Sequence, residues 1–245
     1  MNKVKANIEN LSSLWKSVSE PFQTYYEGDG FAYSRIPDSQ WPNRIWSTEK
    51  DLTPYLNNII EIMNNDNSSP ILTYFDSGTP NNNREKILMA SESLMERWVQ
   101  YGMSMPLNQS FGKSPRLHFE LIKNTDEAKL WCDVFKQSFG YKISRETLFN
   151  SYQKIDYFNV YYENKPIGTT ILYITNGVAG IHSLGIIPQM RGKGFAREAM
   201  HFILNLALEK KAVLTTLQAS KMAKNMYESI GFQTQFVVRN YQLEC

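Results

Sequence analysis

Cysteine is almost absent. Cys132 and Cys245 are the only two in 245 residues, and they lie too far apart to make a disulfide framework or a zinc site. No metal is expected on this ground. Long apolar runs are missing as well. Nothing approaches 18 consecutive apolar residues, so no membrane span or membrane partner is expected. The opening Met1-Asn2-Lys3-Val4-Lys5-Ala6-Asn7 has no apolar core of the kind a secretory leader carries, which points to a reduced, cytoplasmic setting. A surplus of one charge sign is missing too. With 26 Lys and Arg against 24 Asp and Glu the net charge is +2, where a generic nucleic-acid coat protein would be strongly basic. No wide basic stripe interleaved with aromatics appears, so nucleic acid is not an expected partner. What is present suits a soluble globular chain. At this length roughly 70–75% of the unfolded surface is buried on folding, and no staple is needed.

The run Pro106 to Pro115, PLNQSFGKSP, is the most polar and breaker-rich stretch in mid-chain and reads as a linker. It divides a first lobe, 1–105, from a second, 116–245. The second lobe parses clearly. Strand-like alternation from Arg116 to Lys123 precedes a helix opened by Thr125-Asp126-Glu127, with Leu130, Trp131, Val134, Phe135 and Phe139 on one face. A second helix starts at Ser144. Strands follow at Tyr157–Tyr162 and Gly168–Ile174, joined by the turn Glu163-Asn164-Lys165-Pro166, and then at Val178–Ile187. A helix at Ala196–Lys211, a strand at Val213–Leu217, a helix at Ser220–Ile230 and a terminal strand region at Phe232–Leu243 complete the lobe. The first lobe gives a fainter version of this order. It has a helix at Leu11–Val18 and a hairpin around Glu27-Gly28-Asp29. A strand at Arg44–Thr48, an amphipathic helix at Leu52–Met63 and a strand at Ile71–Phe75 follow. A helix at Glu85–Tyr101 closes on Gly102-Met103, which echoes Ile230-Gly231-Phe232. Two readings stand: a degenerate internal repeat, or coincidence between two ordinary α/β segments.

The chemistry concentrates in one run, Ile186-Ile187-Pro188-Gln189-Met190-Arg191-Gly192-Lys193-Gly194-Phe195-Ala196-Arg197. A strand meets a turn with two glycines, and a helix begins. The first N–H groups of a helix have no intrahelical acceptor, the helix dipole adds partial positive charge, and glycines let a ligand approach the backbone. Arg191, Lys193 and Arg197 add whole charges. Together these suit a pyrophosphate. The plain alternative is a solvated basic turn. Neither the P-loop spacing nor the Gly-x-Gly-x-x-Gly fingerprint of dinucleotide folds is present.

Arg191-x-x-Gly194-x-Ala196 resembles the Arg/Gln-x-x-Gly-x-Gly/Ala signature of the GNAT family of N-acetyltransferases, and Tyr227-x-x-x-Gly231-Phe232 resembles the family's second signature. The resemblance covers 116–245 in the family's element order. It implies an α/β (α+β) acyl-CoA N-acyltransferase fold, a mixed, mostly antiparallel sheet flanked by helices, in two tandem copies if the repeat is real. It implies acetyl-CoA as cosubstrate, its pyrophosphate held at Arg191, Gly192, Lys193, Gly194, Phe195 and Ala196. It further implies that the strand from His182 to Ile187 splays from its neighbour, as in the family, and offers pantetheine the backbone of Leu184 and Ile186. Ser220, Ala223 and Tyr227 complete the coenzyme side, Ser220 standing where the family has Asn. At the matching turn the first lobe has Thr48-Glu49-Lys50-Asp51, with no glycine and two carboxylates. One coenzyme site, in the second lobe, is therefore expected, with the first lobe supporting the fold or walling the acceptor pocket.

On this reading the Leu184 N–H steadies charge developing on the thioester oxygen and Tyr227 protonates the leaving sulfur. His182, or a water chain to Glu120, accepts the amine's proton. For each the alternative is structural: a core tyrosine, a satisfied strand histidine, a solvated carboxylate. The acceptor pocket is expected between the first two helices of the second lobe and the final strands, with Phe139, Tyr141, Tyr157 and Tyr161 as candidate lining and core packing the alternative. The expected acceptor is a small-molecule or peptide amine, and the expected assembly a monomer or homodimer. A non-catalytic acyl-CoA-binding sensor or scaffold is the competing function.

Overall fold

The computed structural model describes residues 1–28, 30–49, 51–66, 68–78, 93–112 and 116–244. In chain order the elements are α1 (Lys3–Ser19), β1 (Tyr25–Gly28), β2 (Phe31–Ser34), β3 (Arg44–Trp46), α2 (Leu56–Asn65), β4 (Ile71–Asp76), β5 (Leu94–Pro106) and β6 (Leu117–Leu121). Then come α3 (Thr125–Phe139), α4 (Arg145–Phe149), β7 (Asp156–Tyr162), β8 (Lys165–Thr175), β9 (Val178–Ile186), α5 (Phe195–Glu209), β10 (Leu214–Ser220), α6 (Lys224–Ile230) and β11 (Gln233–Leu243). Local chemistry accounts for the boundaries. Asn124 caps α3, its Oδ1 accepting from Glu127 N at 3.0 Å while the Glu127 carboxylate reaches back to Lys123 N at 2.6 Å. Gly140, at φ 81°, ends that helix. Glu163 and Asn164, at φ 48° and 59°, make the two-residue turn that joins β7 to β8.

All eleven strands form one sheet in the order β1-β2-β3-β4-β11-β5-β10-β9-β8-β7-β6. Neighbours are antiparallel except at β3/β4 and β9/β10, one parallel pair in each half. One face carries α1, α3 and α4. Leu14, Trp15 and Val18 of α1 meet Trp131 and Phe135 of α3, Leu148 of α4 and the sheet residues Trp46, Tyr157 and Ile171 there. The other face carries α5 and α6 over Ala179, Ile181 and Leu217, and α2 over Ile45, Leu72 and Tyr74. The fold is the acyl-CoA N-acyltransferase fold expected, a mixed and mostly antiparallel sheet between helices. Two copies are consistent with its eleven strands.

Several first-lobe expectations change. The helix expected at Glu85–Tyr101 falls partly on 85–92, outside the described residues; from Leu94 onward the chain is β5, between β10 and β11. The apolar spacing that suggested a helix is overridden by ladder hydrogen bonds on both edges. Gly102 is therefore no helix terminus. It sits mid-strand under the Phe236 ring, where a Cβ would lie 2.3 Å from ring carbons. Trp98, four residues before Gly102, pairs with Asn240 of β11. The terminal strand β11 runs between β4 and β5. The hairpin near Gly28 forms as β1/β2, with Asp29 outside the described residues, as are Lys50, Cys245 and residues 113–115 of the expected linker. The α1 helix is longer than expected and packs on β8, β9 and β10 of the second lobe.

Candidate active site

Strands β9 and β10 are parallel neighbours for three residue pairs only, Val178/Leu214, Ala179/Thr215 and Gly180/Thr216. Beyond Gly180 they part. From Ile181 to Ile186, β9 stays with β8, while from Leu217 to Ser220, β10 stays with β5. The parting coincides with a bulge in β9, where Ser183 adopts φ 50° and its carbonyl accepts from Thr169 Oγ1 at 3.0 Å. The result is a V-shaped gap whose walls carry backbone groups that the other strand does not pair.

At the mouth of the V the chain turns through Pro188–Met190 and two left-handed glycines, Gly192 at φ 76° and Gly194 at φ 85°, into α5. A Cβ on Gly192 would meet nothing within 4 Å, so that backbone is open to an approaching group. Gly194 is the N-cap of α5 and offers no side chain to its N–H groups. The N–H groups of Phe195 and Ala196 thus begin the helix without intrahelical acceptors. Arg191 does not extend into this space. Its Nε donates to Ile186 O at 2.9 Å and its Nη2 to Ser138 O at 2.7 Å, pinning the turn to β9 and to the end of α3. Arg197 donates to Ser229 Oγ at 2.6 Å and ties α5 to α6. Arg116 lies over the Phe195 ring at 4.7 Å and bonds Lys193 O and Glu198.

Residues 126–232 match the family model for GNAT acetyltransferases. This part of the chain is a GNAT domain. No curated protein matches the sequence. Among solved structures, a GCN5-related N-acetyltransferase from Kribbella flavida is similar at TM-score 0.68 and 11% identity, with 94% of this chain and 95% of that one covered. A GCN5-related N-acetyltransferase from Sphaerobacter thermophilus gives TM-score 0.62 and 11% identity over 87% and 76%. A conserved protein of unknown function from Staphylococcus epidermidis gives 0.59 and 16% over 89% and 92%. These likenesses run through both lobes, so the fold they share is that of the whole sheet.

Within the GNAT domain, Tyr227 of α6 is buried in one apolar cluster with Leu217, Ala219, Leu184 and Ala223. Burial raises its pKa above the usual phenol value, and among the described residues nothing hydrogen-bonds its hydroxyl. Ile186 packs with Phe195 at the mouth of the V. Ser220 Oγ accepts from Ala223 N at 3.3 Å, closing the turn into α6. His182 faces the opposite side of the sheet, with Nε2 3.3 Å from Asn10 Oδ1 of α1. The Asn10 amide nitrogen faces Thr175 Oγ1 at 2.8 Å and the carbonyls of Tyr173 and Val178. Its oxygen is thereby left to accept from His182 Nε2–H. Desolvation pulls the His182 pKa down to about 4, against a smaller upward pull from Gln218.

The other sequence candidates scatter. Glu120 is exposed, bonds His118 at 3.2 Å, and stands on β6, three strand spacings or about 14 Å from β9. Tyr161 is bonded to Glu120. Tyr157 is fully buried with its hydroxyl 2.8 Å from Ser151 Oγ, edge-on to Trp131, and faces no open space. Phe139 lies against Gly185 at the open end of β9, and Tyr141 follows it, 6.3 Å between ring centroids. The sequence reading missed Asn7, Asn10 and Gln218. Gln218 Nε2 donates to Asn7 Oδ1 at 2.6 Å and Asn7 Nδ2 to Met103 O at 2.9 Å, so amides of α1 bridge β5, β8, β9 and β10. Long sequence separation hid this; an Asn pair at i, i+3 on an otherwise apolar helix face was the available signal.

The first lobe repeats the parting in short form. β3 leaves β4 after Trp46/Thr73. A cavity of about 450 Å³ opens beside it, lined by Trp46, Ser47, Thr48 and three carboxylates, Glu9, Glu27 and Glu49, with Lys16 committed to Glu27.

Proposed function

We propose that the chain is an N-acetyltransferase with one coenzyme site, in the V between β9 and β10, and a primary amine as acceptor. The observation that carries this is the parting of β9 from β10 at Gly180/Thr216, directly before the two-glycine turn into α5. Acetyl-CoA, when bound, supplies the activated acetyl group. The open backbone at Gly192 and the first-turn N–H groups of α5 fit its pyrophosphate; the positive end of α5 adds to the attraction. Leu184 and Ile186 stand on the stretch of β9 that β10 does not pair and offer backbone to its pantetheine arm, the Ile186 carbonyl being already held by Arg191 Nε, and the Leu184 N–H steadies the charge that develops on the carbonyl oxygen. The amine nitrogen forms the new C–N bond as the C–S bond breaks. The Tyr227 hydroxyl gives its proton to the departing sulfur, and the proton lost by the amine restores it through solvent. His182 is assigned to holding α1 rather than to proton transfer, because a proton placed on it would lie buried between amides. The first-lobe cavity, lined by carboxylates and lacking the glycine turn, is assigned no coenzyme.

The test is thermal unfolding with acetyl-CoA, paired with thiol release on a panel of amines. Near 100 times Kd the ligand stabilises the folded state by about 2.7 kcal/mol, a Tm rise of roughly 5–10 °C at this size. Gly192→Asp, which sets a carboxylate at the phosphate position using one of the few side chains that visit the left-handed region, removes that rise. No rise at millimolar acetyl-CoA overturns the coenzyme site. A rise without thiol release on any amine supports the binding-module reading instead.

A further inference from the structure

β6 is one edge of the eleven-stranded sheet, and among the described residues no strand pairs with its outer side. Its residues are Leu117-His118-Phe119-Glu120-Leu121. The inner side is fixed by the ladder to β7. Ile122 N donates to Tyr157 O at 2.9 Å, and the register continues without a shift from Leu121/Phe158 to Leu117/Tyr162. Successive residues of an antiparallel strand turn their backbone groups to alternate sides. Ile122, Glu120 and His118 therefore turn theirs to β7, and Leu121, Phe119 and Leu117 turn theirs outward in one row. Sheet edges are commonly guarded by lysine, proline or a bulge, and β6 has none of these.

The side chains sort by face. Glu120 stands opposite Asn159, whose amide reaches Glu127 O of α3, so Glu120 and His118 share the α3 face. Both are exposed, and His118 Nε2 is 3.2 Å from Glu120 Oε1. Phe119 is on the other face, its ring flat on Phe202 of α5 at 3.7 Å between centroids, and both rings are half-exposed.

This strand is complementary to its own reverse. Two copies running antiparallel about a twofold axis at Phe119 set Phe119 against Phe119 and each Leu117 against Leu121 of the other copy. All three are pairs of outward backbone groups, so each closes with two hydrogen bonds. Between them, in the closer non-hydrogen-bonded positions, His118 falls opposite Glu120 on both sides of the axis, a basic imidazole against a carboxylate each time. An axis moved by one residue would set His118 against itself or Glu120 against itself. A twofold contact demands this self-complementarity, because the same patch serves both copies.

We propose that the β6 edge is a self-association surface whose partner is a second copy of this chain, paired antiparallel about Phe119 so that one continuous sheet runs through both. The two Phe119/Phe202 stacks meet across the axis and add an aromatic contact to the ladder.

Sedimentation velocity over a concentration series tests this, with hydrogen exchange across 117–121 measured at both ends of the series. The native chain is expected to pass from monomer to dimer as concentration rises, with exchange at Leu117, Phe119 and Leu121 slowed in the dimer. Glu120→Lys opposes two basic groups, and His118→Glu opposes two carboxylates. Each is expected to weaken the dimer by about 10-fold or more, since the axis counts every pair twice. The double variant H118E/E120K sets a carboxylate against an ammonium again and is expected to regain the native dimer, which a merely weakened edge would not do. A native chain still monomeric at millimolar concentration, or a dimer without slowed exchange at 117–121, overturns the proposal. So does a dimer equally strong in the single variants, or a loss in them that the double variant leaves unrestored. Should a variant fail to fold, the exchange measurement on the native chain decides.

Discussion

Tyr227 joins its position to its chemistry through burial alone. Leu217, Ala219 and Phe232 surround the ring, and desolvation raises the phenol pKa beyond its ordinary value near 10. A general acid must be protonated when the leaving group departs, and activity is lost once pH exceeds its pKa. With the pKa raised, that loss falls above pH 10, so Tyr227 contributes no alkaline limb in the working range. Tyr227→Phe keeps the ring in its cluster and removes the proton. The expected result is a fall in kcat of about 100-fold or more with the KM for acetyl-CoA little changed. Native kcat in the variant across pH 6–9 would refute the assignment. At this scale the sequence was informative where spacing was local: Tyr227 to Gly231, Arg191 to Gly194. It misjudged Arg191, whose charge is spent on the carbonyls of Ile186 and Ser138, because a side chain's direction depends on a helix end fifty residues away in the chain.

Among the elements, α1 is the one whose partners could not be read from the chain. Its apolar stripe, Leu11, Leu14, Trp15 and Val18, was legible as a helix face, but not the surface that face covers. β5 was misjudged for the same kind of reason. From Gly102 to Met105 the strand is buried on both faces, which hides its alternation, and only non-local ladders decide between strand and helix. The seat of α1 on β9 depends on a neutral imidazole. His182 has an unperturbed pKa of about 6.5 when unfolded and about 4 when folded. Between these values the unfolded chain binds a proton that the folded chain does not, so stability rises with pH there. The contribution is full above about pH 6.5 and is lost as pH falls towards 4. Between pH 7 and pH 5 that is about 2 kcal/mol. His182→Gln has no proton to gain and its unfolding free energy is expected to fall less over that interval by this amount. Chemical denaturation of both proteins at pH 7 and pH 5 reads the difference; parallel pH profiles would mean His182 does not titrate in this window.

The whole molecule is held by an exchange of strands. β5, from the first half of the sequence, lies between β10 and β11; β11, from the second half, lies between β5 and β4. Each half therefore completes its sheet with a strand from the other, and α1 packs across the same seam. The Pro106–Pro115 run punctuates the sequence without separating two bodies, since Pro106 itself ends β5 opposite Leu214. The motifs of the GNAT domain were legible because they are local. This dependence was not, because it lies in pairings more than a hundred residues apart. The consequence is that the proposed coenzyme site needs the first lobe for its wall: from Leu217 to Ser220, β10 is held by β5 alone on one edge and faces the V on the other. A chain trimmed to 107–245 leaves β10 and β11 as open edges over an uncovered cluster of Leu217, Phe232 and Tyr227. It is expected to show no cooperative unfolding and no stabilisation by acetyl-CoA, and to regain both when residues 1–106 are supplied as a separate chain. Cooperative unfolding of 107–245 alone, with acetyl-CoA affinity equal to that of the intact chain, would show that the V stands without β5 and that the exchange serves something other than the site.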